Sequence, residues 1–212
     1  DVIGYNYYLH YDYIDEVVNW INNKMQSEGF DKPVWDLEHG VNDEQDVVSY
    51  NTAAGELVKG YVITHSLGID HISWYPFTLD SLGHNFENLK LLYDFQNQEV
   101  LPPYYALQNL ADHMPSYCRF DSIIPANYNR YTFRSLKKHR VEFEVVWSDS
   151  MDRTVDIAFR PSTTHAVVTH FFGNPVETIP NVNDTLVVQV NKSPRFIKWI
   201  WDEPIPRNLT QH

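Results

Sequence analysis

The order of its segments constrains this chain more than any single motif does. Over residues 1–115, β-branched and aromatic runs alternate with stretches whose apolar residues recur at helical spacing, in the order strand, helix, strand, helix, strand, helix. The repeat is about 30 to 35 residues, the period of βα units, and such units build a parallel sheet flanked by helices. Beyond residue 115 the rhythm changes to short alternating segments separated by polar turns, which predicts an antiparallel sandwich or barrel. A domain boundary therefore falls at Pro115-Ser116, dividing the chain into 1–115 and 116–212.

The first strand is Val2-Ile3-Gly4-Tyr5-Asn6-Tyr7-Tyr8. The helix after it takes Asp12 as N-cap, Asp15 and Glu16 in its first turn, Ile14, Val17, Val18, Ile21 and Met25 as its apolar face, and Gly29 as its stop. The second strand is Val34-Trp35-Asp36-Leu37-Glu38. A helix over 46–66 follows, with Tyr50, Ala53, Ala54, Leu57, Val58, Tyr61 and Val62 on one face and Gly68 at its end. A third strand spans 69–77, and a third helix starts at Pro102-Pro103, since proline suits a first helical turn. In the second half, strands are predicted at 131–134, 141–147, 154–159, 166–169, 186–190 and 196–199.

Within this frame one stretch concentrates the chemistry. Lys32-Pro33-Val34-Trp35-Asp36-Leu37-Glu38-His39-Gly40 is an apolar strand entered through a proline, closed by a glycine and ending on a carboxylate. Functional groups in parallel α/β sheets gather at the C-terminal ends of strands, so Glu38 is the leading site candidate. A period of two puts Asp36 on Glu38's face, one layer deeper, as a buried hydrogen-bonded carboxylate. The same period turns Trp35 the other way, to pack between strand and helix. It also sets His71 with Ser73, opposite Trp74, packing outward against a helix. His39, His10 and Tyr11 are further candidates near the strand ends, as are Asp80 and Glu87 in the loop after the third strand.

Composition narrows the partners. A formal charge of −12 and a pI near 5.1 argue against nucleic acid and anionic membranes, which need a basic surface to displace counterions. A neutral or polar substrate fits better, and 43% apolar residues suffice for a core. Cys118, the one cysteine, excludes an intrachain disulfide and a cysteine-rich metal site. No apolar run approaches the roughly 18 residues of a membrane span. No phosphate-binding glycine loop, zinc motif or calcium loop occurs, so no cofactor is expected. The chain opens at Asp1 directly into a strand, with neither an initiating Met nor a signal-peptide pattern, so residues of the same protein are expected to precede it.

Several of these segments carry a family resemblance. Gly4-Tyr5-Asn6-Tyr7-Tyr8, the 32–40 stretch and Ile72-Ser73-Trp74-Tyr75-Pro76-Phe77 resemble the last three strands of a clan A glycoside hydrolase barrel. Leu91-Leu92-Tyr93-Asp94 and Pro103-Tyr104-Tyr105-Ala106-Leu107 are similar to that family's run into its final helix. The resemblance implies that 1–115 holds strands six to eight, with their helices, of a TIM (β/α)8 barrel, and that 116–212 is an appended antiparallel β-sandwich. It further implies a retaining glycoside hydrolase acting on a carbohydrate. Glu38 would be its nucleophile, Tyr8 the hydrogen-bond donor to that nucleophile and Trp74 a sugar platform, with Asn6 and His39 as further substrate contacts. The remaining partner would be the rest of the barrel, from the same polypeptide or another chain.

Two departures from the family's pattern bear on activity. Asn6 stands where the sixth strand often carries a histidine. The family's acid/base glutamate ends the fourth strand, which must lie before Asp1, since a barrel needs eight strands and three are read here. These departures sustain a second expectation, a non-catalytic carbohydrate-binding or structural surface protein on the same fold. Sequons at Asn183, Asn191 and Asn208, all in 116–212, are candidate glycosylation sites. They lean toward an extracellular, lysosomal or secretory protein.

Overall fold

Three parallel strands and the helices between them make the first half of the chain. The computed structural model describes residues 1–8, 11–41, 49–69, 71–77, 90–114 and 118–201. Contacts divide these into one unit of Asp1–Pro115 with Phe171–Gly173 and another of Ser116–His170 with Asn174–His212.

In the first unit, β1 (Ile3–Tyr7), α1 (Ile14–Ser27), β2 (Val34–His39), α2 (Tyr50–Ser66) and β3 (Ile72–Trp74) alternate as the sequence predicts. A short hairpin of β4 (Tyr93–Asp94) and β5 (Glu99–Val100) precedes α3 (Pro102–His113). The sheet order is β1-β2-β3, all parallel, with β2 in the centre. Asp12 does not cap α1. It lies in a 3-10 turn, Tyr11–Tyr13, and Tyr13 occupies the cap position with no side-chain hydrogen bond. Ser49 does cap α2, its hydroxyl accepting the Thr52 N–H at 3.1 Å. Helix ends fall where expected, with Gly29 and Gly68 at φ of +73° and +83°, a conformation that suits glycine.

One face of this sheet is covered by helices. Tyr7, Tyr11, Ile14, Val18 and Ile69 are buried together, with Tyr5, Val17, Val34, Ile63, Leu67 and Ile72 packed around them. Each fully buried aliphatic or aromatic side chain contributes about 1.5–3 kcal/mol. On β1 and β2 the intervening residues Gly4, Asn6, Trp35 and Leu37 are exposed. The sheet is therefore apolar toward α1 and α2 and open on the other side.

The second unit is all β. Strands β6 (Cys118–Ile123), β7 (Asn129–Ser135), β8 (Arg140–Trp147), β10 (Thr163–His170), β11 (Val176–Pro180) and β13 (Arg195–Trp201) form an antiparallel sheet ordered β11-β10-β13-β8-β7-β6. A separate ribbon pairs β9 (Arg153–Ala158) with β12 (Thr185–Val190). Val155, Ile157, Leu186, Val188 and Val190 of the ribbon bury against Val141, Val146, Ala166, Val168, Ile197 and Trp199 of the sheet. Tyr131 stacks on Trp147 and Phe133 on Phe143, with ring centroids 5.0 and 4.6 Å apart. The sequence pattern missed β6 and β11, the two edge strands.

Candidate active site

The site is set by one extra residue in β2. On one side, Tyr5 and Tyr7 of β1 are partnered by Asp36 and His39, with Glu38 opposite Asn6. On the other, Ile72 and Trp74 of β3 are partnered by the same Asp36 and His39. Two steps along each neighbour thus match three along β2, which is a β-bulge. Asp36 and His39 share the helix-covered face with Tyr5, Tyr7 and Ile72, while Glu38 is presented beside exposed Asn6.

This corrects the face assigned to Asp36. It is fully buried, as expected of a paired carboxylate, yet it stands on the opposite side of the strand from Glu38 because the bulge breaks the period of two. His39 is corrected with it. Rather than lining a substrate site, it is 3% exposed, and its Nδ1–H donates to Asp36 Oδ2 at 2.6 Å. Its ring stacks on Tyr7 and meets Tyr61 edge-on, both at 5.6 Å between centroids. Trp74 also belongs to this side. Its indole N–H donates to the Lys90 carbonyl at 3.2 Å and its ring lies 6.1 Å from His39, so register takes it away from Glu38. Trp35 and His71 are reversed as well, since His71 is exposed and its ring lies 4.4 Å from that of Trp35, itself 36% exposed.

Glu38 and Tyr8 are brought together. The Tyr8 hydroxyl donates to Glu38 Oε2, and Glu38 is half-buried at the C-terminal end of the central strand. Burial pushes the Tyr8 phenol well above its ordinary value, and the hydrogen bond to Glu38 and that residue's charge push it further. Tyr8 therefore stays a neutral donor across the physiological range. Among the described residues no ion pair engages Glu38, so a neutral hydroxyl holds one oxygen and leaves the other free of a protein donor. Tyr75 completes this corner. Its ring meets that of Tyr8 edge-on at 6.3 Å, and its N–H donates to the His39 carbonyl at 2.8 Å. Sequence reading passed over Tyr75 in favour of Trp74, although its place just before Pro76 at the same strand end was a signal.

The other candidates fall elsewhere. Tyr11 is buried, with Lys59 Nζ 3.3 Å from its hydroxyl and 4.4 Å from its ring centre, a packing role. His10, Asp80 and Glu87 lie outside the described residues, as does Asn208. Asn183 is exposed, and half-buried Asn191 accepts the Ser193 N–H at 2.9 Å. Among the described residues no three His, Cys, Asp or Glu side chains are grouped to hold a metal. No described helix is long and apolar enough to cross a membrane.

No protein-family model matches the chain, and no curated protein matches it. Solved structures do. It is similar to a family 39 glycoside hydrolase from the gut symbiont Bacteroides cellulosilyticus WH2, with a TM-score of 0.67 and 15% identity over 87% of this chain and 37% of that one. It is also similar to a conserved exported protein from Bacteroides fragilis, with a TM-score of 0.55 and 10% identity over 86% and 42% of the two chains. SrfJ from Salmonella typhimurium gives a TM-score of 0.54 and 16% identity over 87% and 38%. At such identities the likeness is one of fold, and the chain spans between 37% and 42% of the length of these structures. The mixed helix-and-strand fold is similar to that of part of a family 39 glycoside hydrolase, and the described residues form no closed barrel.

Proposed function

We propose that this chain supplies the last three βα units of a retaining glycoside hydrolase barrel and an appended β-sandwich, with Glu38 as the nucleophile. The observation that carries this reading is the placement of Glu38. It is a half-exposed carboxylate at the C-terminal end of a central parallel strand, hydrogen-bonded by a neutral phenol. A carboxylate so held keeps an oxygen free to attack an anomeric carbon. The fold shared with a family 39 glycoside hydrolase supports the same class, though a fold hosts many functions and the site has to carry the argument.

A retaining mechanism needs a second carboxyl about 5–5.5 Å from the first. Asp36 does not serve, because it faces α2 and is tied to His39. The acid/base group then comes from the earlier part of the barrel. The outer edge of β1 suits such an addition. Ile3, Tyr5, Val17, Trp20, Met25 and Phe30 line an apolar cleft of about 440 Å³ beside it, with Trp20 68% and Phe30 57% exposed. Tyr75 and Asn6, both beside the Tyr8–Glu38 pair, take the sugar contacts.

The test is hydrolysis of a panel of aryl β-glycosides by the full-length protein, with the first-formed anomer read by NMR. Retention is expected. Inversion overturns the mechanism, and no turnover by folded protein favours the non-catalytic, carbohydrate-binding reading that Asn6 beside Glu38 keeps in view.

A further inference from the structure

Residues three apart on a regular strand face opposite ways. Asp36 and His39 face the same way, because Leu37 and Glu38 are accommodated between register partners that are only two apart on β1 and on β3. The side chains at the two ends of this bulge are joined by the 2.6 Å bond from His39 Nδ1 to Asp36 Oδ2, and both are almost wholly buried, at 3% and 0% exposure. A buried carboxylate and a buried imidazole joined by such a bond resist separation, because either one alone loses that partner away from water.

The pair is also held from behind. His39 Nε2 points at Gly60 on α2, where a Cβ would overlap the ring. On helix α2 the missing side chain of Gly60 makes a slot for His39. On the far side Tyr7 stacks on the imidazole and Tyr61 closes its edge. The ring has one seat, and from that seat the His39 carbonyl holds the Tyr75 N–H at 2.8 Å.

We infer that Asp36, His39 and Gly60 are positioning residues for Glu38: the Asp36–His39 bond staples the bulge of β2, Gly60 gives the staple room, and the stapled bulge aims Glu38 at Tyr8. The geometric part stands without any activity. Its catalytic consequence rests on Glu38 being the nucleophile. None of the three touches substrate, so each acts by fixing where the carboxylate stands. A displacement of about 1 Å at a reacting group costs on the order of 100-fold in rate.

Three variants of the full-length protein separate this from a general need for packing. Asp36→Leu removes the acceptor. Asp36→Asn keeps an acceptor oxygen for His39 and removes the charge. Gly60→Ala acts from α2, leaves β2 chemically intact and raises helix propensity. Each is read by crystal structure for the Tyr8–Glu38 hydrogen bond, and by the rate at which a 2-deoxy-2-fluoro glycosyl probe labels the protein at a temperature well below melting.

Asp36→Asn is expected to keep the bond and to label within about fivefold of the parent, whereas Asp36→Leu and Gly60→Ala lose the bond and label about 100-fold more slowly. A folded Gly60→Ala or Asp36→Leu protein that keeps the Tyr8–Glu38 bond overturns the inference, as does parental labelling by either. Equal loss in Asp36→Asn and Asp36→Leu overturns it too, by showing that charge and not the staple matters. Should Asp36→Leu fail to fold, Gly60→Ala decides. If the parent itself is not labelled, the proposed enzyme reading fails, and the bond seen in the crystal still decides the staple.

Discussion

Glu38 and Glu144 both sit on interior strands, and the two units treat them in opposite ways. Glu144, on β8, has no exposure and is saturated with donors. Arg130 Nε reaches one oxygen at 2.6 Å. Arg160 reaches the other through Nη2 at 2.6 Å and Nε at 2.9 Å, joined by the Trp199 indole at 3.0 Å. Glu38 is half-exposed, meets a neutral phenol and has no ion-pair partner among the described residues. A carboxylate surrounded by cations in a dry interior is bound to the fold and has no lone pair to offer. One held by a single neutral donor at a strand end costs the fold little and keeps an oxygen open. The second unit thus uses its glutamate to tie together Arg130, Arg160 and Trp199, and the first displays its glutamate.

The sharpest way to break this contrast is to remove each charge in turn. Glu38→Gln should reduce glycoside hydrolysis by the full-length protein at least about 1,000-fold, as expected for loss of a nucleophile. Its melting temperature should stay within about 2 °C of the parent, because no buried ion pair is broken. Glu144→Gln should do the reverse. It removes the charge that two guanidinium groups share and should cost about 3 kcal/mol or more in urea unfolding, with the chemical step intact in whatever remains folded. A stability loss in Glu38→Gln equal to that in Glu144→Gln would erase the distinction.

A smaller effect concerns the phenols. Burial raises Tyr5, Tyr7, Tyr8 and Tyr61 above the ordinary value of 10.0, and the Asp36 charge adds to the shift at all four. A group whose folded pKa exceeds its unfolded one contributes stability that is complete below the unfolded value and lost as pH rises through the folded one. Alkaline titration followed at 295 nm should therefore show a class of tyrosines that ionises late or only on unfolding, with stability falling as pH climbs past 10.0. Tyr8→Phe should remove one member of that class. The smallest effect is at the helix cap, where Ser49→Ala should cost about 1 kcal/mol without altering the Tyr8–Glu38 corner.

Element order was legible because the signals are local. The βα rhythm, the prolines opening α3 and the glycines closing α1 and α2 each act within a few residues. What sequence hid was register. A period of two carried through β2 put Asp36 with Glu38, and one uncounted residue reversed that and displaced His39 with it. On β3, Trp74 was expected beside Glu38, but its pairing with His39 sets it on the helix-covered side. Edge strands β6 and β11 escaped because one side of each is unpaired and β11 is mostly exposed, so neither needs a clean apolar alternation. Glu142 and Glu144 alternate with apolar residues along β8, yet both are buried. The cations that make Glu144 tolerable, Arg130 and Arg160, come from other segments of the chain. Glu38 and Tyr8, singled out for their places at the C-terminal ends of β2 and β1, do lie together in one hydrogen bond.

The central claim is that Glu38 is displayed for attack. Its most direct test is to incubate the full-length protein with 2-deoxy-2-fluoro glycosyl probes of several sugar types, digest it and map the adduct by mass spectrometry. The account predicts one covalent glycosyl ester, on Glu38, that is absent from Glu38→Gln. An adduct on any other carboxylate, or none from any probe in protein shown to be folded, would contradict it.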